Sequence, residues 1–252
     1  MTPEECANRV LNDYDITGVP AFSFKKIFKA CNINCDEYNY NDPKYSGSLH
    51  KVDGDYFILV NTDSGNRGRI NFTKSHELGH FFLKHKGDKF ECSAKDMYTN
   101  DIAHKPQEVE ANRFAGAFLL PSNKIKLYLS DDNYDFTTLG GIASNFQVSL
   151  SATVIRTIPM LSGKWYAAWS EKGIIQWTIK SPACRLITLS QYDMVKEKSV
   201  AYRCFNESYK PLTDTYETVP VLAWANNSAK TKVKEMTIFM KNYNATLSLV
   251  RF

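Results

Sequence analysis

Apolar spacing divides this chain into a helical first part and a strand-rich last third. Val10, Leu11 and Tyr14, then Phe24, Ile27 and Phe28, recur at helical intervals on either side of a turn at Gly18 and Pro20, predicting two helices within residues 3–35. Residues 39–48, rich in Asn, Asp, Pro, Gly and Ser, read as a loop, and the apolar run Tyr56–Val60 reads as a strand. A helix is predicted from Thr73 or Ser75, either a suitable N-cap, to about His85, with Lys84, His85 and Lys86 at its negative end and Gly87 as its stop. After a polar linker, 88–106, another helix opens behind Pro106 and ends before Pro121. Two short helices, Thr137–Asn145 and Leu150–Ile158, flank Gln147-Val148-Ser149. Beyond Gly163 the runs WYAAW, GIIQWTI, CRLITL, SVAYRC, VPVLAW, MTIFM and ATLSLV read as strands separated by turns.

This order predicts an α+β fold: a first domain over 1–130 with a small sheet, a helical connector over 131–163, and a β-rich C-terminal domain over 164–252. With 252 residues and 43% hydrophobic content, the chain can bury a core without disulfide or metal staples. No run of about 18 apolar residues spans a bilayer and no signal-type leader opens the chain, so the expectation is a cytoplasmic protein with no membrane partner. Six cysteines without CxxC spacing read as reduced thiols. Cys31 and Cys35, four apart, read as core positions, with a metal pair on one helix face as the alternative. Charge is uneven: residues 164–252 hold 13 Lys+Arg against 7 Asp+Glu, while residues 1–163 hold 18 against 20.

The chemistry concentrates in His76-Glu77-Leu78-Gly79-His80. Histidines four apart on a helix face the same way, so both imidazoles reach one metal ion with a glutamate beside it. Hydrolytic zinc takes three protein ligands and keeps an open position, so a third ligand is required. Glu108 and Glu110 compete for it. Glu108 shares a helix stripe with Asn112 and Ala115, so a small residue lies one turn beyond Asn112 for close helix packing, while the Asn112 amide is placed to fix a liganding imidazole. That stripe favours Glu108. Glu77, too close to the first ligand to share its metal, is the natural general base for amide hydrolysis.

FTKSHELGHFFLKH followed by EVEANRFAGAFLLP resembles the ImmA/IrrE-type zinc metallopeptidases, over roughly residues 5–125. The resemblance implies a zincin-like domain with Zn²⁺ on His76, His80 and Glu108 and with Glu77 as acid/base. It also implies a thermolysin-like cleft lined by a strand beside the motif helix, for which the segment 56–60 is the candidate edge. Regulatory members of that family cut helix-turn-helix repressors, so the implied partner is a protein substrate of that class, cleaved to release stress-response or mobile-element genes. The alternative from another class is a non-catalytic, zinc-containing regulator that binds a protein or nucleic acid.

The remaining features carry less. His104 and Tyr98, in the linker, are candidate transition-state donors; His85 reads as capping or packing. Cys92 in the same linker reads as a loop thiol, its alternative being a thiolate on the open metal position. The 137–160 helix pair offers one arginine, Arg156, to a duplex, and Trp165, Trp169, Trp177 and Trp224 sit in predicted strands, which favours packing over nucleic-acid binding. Ligand sensing or partner docking is the functional alternative for residues 164–252.

Overall fold

The computed structural model describes all residues except 43, 88, 94–104, 208, 212–213 and 227–230, together with the backbone alone of residue 242. The architecture is mixed α+β with two separate sheets. The chain forms two compact units, Met1–Ile125 with Ile142–Ala152, and Lys126–Gly141 with Thr153–Phe252. No helix among the described residues is long and apolar enough to cross a membrane.

In the first unit, α1 (Pro3–Asp13) starts with a reciprocal capping box between Thr2 and Glu5, and α2 (Phe24–Ala30) follows a 3₁₀ turn at Pro20–Phe22. The strands β1 (Ile33–Tyr38), β2 (Tyr45–Val52), β3 (Asp55–Asn61) and β4 (Lys89–Ser93) form a sheet in the order β1-β3-β2-β4. β1 runs parallel to β3, while the β3–β2 and β2–β4 pairs are antiparallel. The expected loop at 39–48 therefore shortens, because Gly47 and Ser48 pair with both neighbours and Tyr45 with β4. Cys31 caps α2 and Cys35 lies in β1, so they share no helix face. β3 is interior, paired on both sides, and offers no edge to a substrate. Among the described residues the two edges of this sheet are β1, against α2, and β4, against α3; β4 lies inside the stretch expected to be linker.

The long helix α3 (Arg67–Phe82) lies against β2 and β3, and α4 (Pro106–Leu119) packs against α3 and α1. α3 starts six residues before the expected Thr73: Asn66 caps it by accepting from the Arg69 amide at 3.1 Å, whereas Thr73 and Ser75 donate back to the carbonyls of Arg69 and Asn71. Lys74, buried on this helix, is neutralised by Glu37 of β1. Gly79 sets the distance between α3 and α4: a β-carbon there would sit 3.0 Å from Ala111 Cα and 3.3 Å from Phe114 Cβ. The close approach is thus made at Gly79 and Ala111, one turn before Ala115.

Two further helices, α6 (Phe136–Phe146) and α7 (Leu150–Thr157), follow the short α5 (Ser122–Ile125). Within the first unit, the Asn71 amide donates to Gln147 O at 2.9 Å.

The second unit is built on an antiparallel sheet, order β6-β5-β9-β8-β7, from β5 (Trp165–Glu171), β6 (Ile174–Lys180), β7 (Glu217–Pro220), β8 (Lys232–Met240) and β9 (Ala245–Arg251). Three expected strands are different: VPVLAW keeps only Val219 and Pro220 in β7 and then turns into a 3₁₀ helix at Val221–Ala223. SVAYRC becomes α8 (Val200–Asn206), capped by Ser199, and CRLITL contributes only a bridge from Thr188 to Ala225. Trp165, Trp177 and Trp224 are buried, and Trp224 packs on Tyr166 inside the core.

Candidate metal centre

The motif helix turns His76 and His80 to the same side, and α4 brings Glu108 across to meet them. His76 Nε2 lies 3.1 Å from Glu108 Oε2 and 3.0 Å from His80 Nε2, and His80 Nε2 lies 3.4 Å from Glu108 Oε1. One donor atom from each of the three residues falls within 4.8 Å of the others, with both histidines fully buried. Two imidazoles and a carboxylate converging at this range are the donor set and spacing that Zn²⁺ takes.

Both rings are oriented from behind. His76 Nδ1 is 2.9 Å from Asn112 Oδ1, so Nδ1 donates and Nε2 keeps its lone pair for the cluster. His80 Nδ1 is 2.8 Å from His85 Nδ1, and His85 Nε2 is 3.0 Å from Glu110 Oε2. Read from the carboxylate inward, Glu110 accepts from His85 Nε2, His85 Nδ1 accepts from His80 Nδ1, and His80 Nε2 is left with its lone pair on the cluster. The helix end creates this chain. Lys84 adopts a left-handed φ of 55°, and the amides of Lys84 and His85 return to the carbonyls of Phe81 and His80, folding His85 back beside His80. Sequence reasoning assigned His85 to packing and treated Glu110 only as a rival ligand; the clue was a histidine five residues after the motif and an acid two after Glu108. Phe90 of β4 stacks on His80 with ring centroids 4.4 Å apart.

Electrostatics separate the two imidazoles. Burial, with His76 and His85 as neighbours, pushes His80 down to about 2, so its ring is neutral throughout the physiological range. Burial also disfavours the His76 cation, yet the acids around it, Cys92 first, hold its pKa well above the ordinary imidazole range. A cation entering the cluster takes the place of that proton.

Glu77 stands apart. It is fully buried, neither carboxylate oxygen has a hydrogen-bond partner, and burial raises its pKa to about 8. An orphaned buried carboxyl costs free energy unless something occupies the space before it. A metal ion with water supplies that occupant, so the residues present fit the group that the donor set implies. Gly47 of β2 is required nearby: a β-carbon on it would meet Thr73 Cγ2 at 2.4 Å and Leu59 O at 2.7 Å. Cys92, buried on β4 and paired in register with Gly47, lies with His76 and Glu77 in a second group whose donor atoms are within 4.8 Å of one another.

The structure thus brings His76, Glu77, His80, Glu108 and Asn112 together. Tyr98 and His104 lie outside the described residues.

Residues 39–157 match the family model Peptidase_M78, the IrrE N-terminal-like domain. Among solved structures, a Mycobacterium tuberculosis transcriptional regulator superposes with a TM-score of 0.56 at 12% identity, covering 99% of this chain and 75% of that one, a likeness of fold. No curated protein matches the sequence. The motif helix, its partner helix and the matched span together identify residues 39–157 as a member of the IrrE N-terminal-like peptidase family.

Proposed function

We propose that this chain is a zinc-dependent endopeptidase, with His76, His80 and Glu108 as metal ligands and Glu77 as the general acid/base. The observation that carries the reading is the unpartnered, fully buried Glu77 carboxylate beside a convergent His-His-Glu cluster. A divalent cation held there polarises a substrate carbonyl and lowers the pKa of water to about 7. The chain supplies the rest. Glu77 accepts a proton from the attacking water and returns it to the departing amine, and its raised pKa keeps that proton exchange near neutrality. Asn112 and the His85–Glu110 pair hold both rings in the tautomer that presents Nε2. The edge of β4, unpaired among the described residues, is the surface on which an extended peptide adds as a further strand, replacing the 56–60 segment in that role.

The substrate class we propose is a helix-turn-helix transcriptional repressor, cut to derepress stress-response or mobile-element genes. Its support is the family resemblance of residues 39–157 and the fold shared with a transcriptional regulator. The test is incubation of zinc-loaded protein with the repressor encoded beside its gene, against Glu77→Gln. Cleavage by the parent and none by the variant is the expected result. Metal binding with intact repressor and intact generic peptides throughout would favour a non-catalytic regulator.

A further inference from the structure

We propose that Cys92 is a fourth protein ligand of the metal centre, its thiolate competing with water for the coordination position that hydrolysis requires and so slowing the assembled enzyme. The inference rests on the ligand reading of His76, His80 and Glu108 and concerns the regulation of that same site.

Three observations carry it. Donor atoms of His76, Glu77 and Cys92 lie within 4.8 Å of one another, and His76 belongs both to this group and to the one with His80 and Glu108. Asn112 engages His76 Nδ1, which leaves Nε2 as the nitrogen the two groups share. Second, Cys92 is 2% exposed, and its Sγ contacts the adjacent Ser93 carbonyl at a long 3.5 Å. Strand register fixes where it points: Cys92 pairs with Gly47 and Phe90 with Leu49, so both β4 side chains face α3, and Phe90 is the ring stacked on His80. Third, the two Glu77 oxygens are buried and unpartnered, and one of them lies within 4.8 Å of the Cys92 sulfur.

The chemistry agrees with the placement. Zinc accepts thiolate readily in a tetrahedral site, and sites with four protein ligands are closed, whereas catalytic ones keep a position open. On metal entry the Cys92 thiol gives its proton to solvent and the sulfur bonds to the ion. For water to be activated beside Glu77, that sulfur must leave. Gly47, the register partner of Cys92, carries no side chain on this side of β2, and a β-carbon there would lie 3.7 Å from Glu77 Oε1.

X-ray absorption at the zinc edge of the full, zinc-loaded chain tests this directly. The expected result is one sulfur at about 2.3 Å with nitrogen and oxygen completing the shell. The cobalt-substituted protein should show a near-ultraviolet sulfur-to-metal charge-transfer band. Cys92→Ala and Cys92→Ser should each lose both signals while keeping one metal per chain, and Cys92→Ala should hydrolyse a generic peptide at least about tenfold faster than the parent, equivalent to about 1.4 kcal/mol of barrier. Stoichiometric zinc in the parent with nitrogen and oxygen neighbours only would overturn the inference and leave the ligand reading standing. Failure of the parent to bind zinc at all would overturn both.

Discussion

Among the described residues each unit of this protein buries one glutamate completely, and the two are treated in opposite ways. Glu235 of β8 accepts from the amides of Val200 and Ala201 at 2.9 Å each, from Trp224 Nε1 at 2.7 Å and from Thr237 Oγ1 at 2.9 Å. It ties the start of α8 and the buried Trp224 to the sheet. Glu77 of α3 has no partner for either oxygen. Burial raises the pKa of both, but only Glu235 has donors that offset the loss of water. A satisfied buried carboxyl organises a fold; an unsatisfied one beside two imidazoles is a candidate for chemistry.

The comparison is broken most forcefully by Glu77→Gln, which keeps volume and removes the proposed proton carrier. Peptide hydrolysis should fall about 10²–10⁴-fold. Urea unfolding of the same variant should shift by no more than about 1 kcal/mol, because no bond is lost. Equal losses of stability and activity would show that Glu77 is structural after all.

Glu235→Ala should do the reverse, stranding the Val200, Ala201 and Trp224 donors and costing about 3 kcal/mol or more by urea denaturation. Its zinc-to-protein ratio, read by elemental analysis, should stay that of the parent. Smaller still is the effect of His85→Ala, which frees the back of His80. Zinc affinity should weaken about 10–100-fold in competition with a chromophoric chelator, with Glu110→Gln in the same direction. An unchanged affinity would reduce the Glu110–His85–His80 chain to packing.

The gentlest test is the pH dependence of stability in the metal-free protein. Because the folded pKa of Glu77 lies above the ordinary 4.5, at about 8, the folded state retains a proton that the unfolded chain gives up. Stability from this group is therefore full below about 4.5, declines as pH rises, and is lost above about 8. Glu77→Gln should flatten that part of the profile; a profile that keeps its slope would assign it to other groups.

Local spacing made much of the first unit readable. Pro106 and Pro121 bracket α4, Asn112 follows Glu108 by one turn, and Gln147-Val148-Ser149 separates α6 from α7, all from short-range rules. The start of α3 was missed because Thr73 and Ser75 look like caps, yet both bond back inside a helix already capped at Asn66. The segment 199–204 has strand-like composition, but Ser199 and the Glu235 carboxylate satisfy the first amides of a helix there. Propensity yielded to a partner 35 residues away.

The sequence by itself determined that His76 and His80 share a helix face, since their separation of four residues and the helical pitch place them there whatever surrounds the helix. It also determined that a carboxylate helix follows with an asparagine one turn on. Only the tertiary structure decided that β3 is interior and β4 is an edge, that His85 folds back on His80 through the left-handed Lys84, and that Cys92 faces the cluster. Those outcomes depend on strand order, register and a backbone turn, which join residues distant in sequence or reverse the chain's direction. Such pairings are settled by the collective packing of the sheet and helices, and no local period records them.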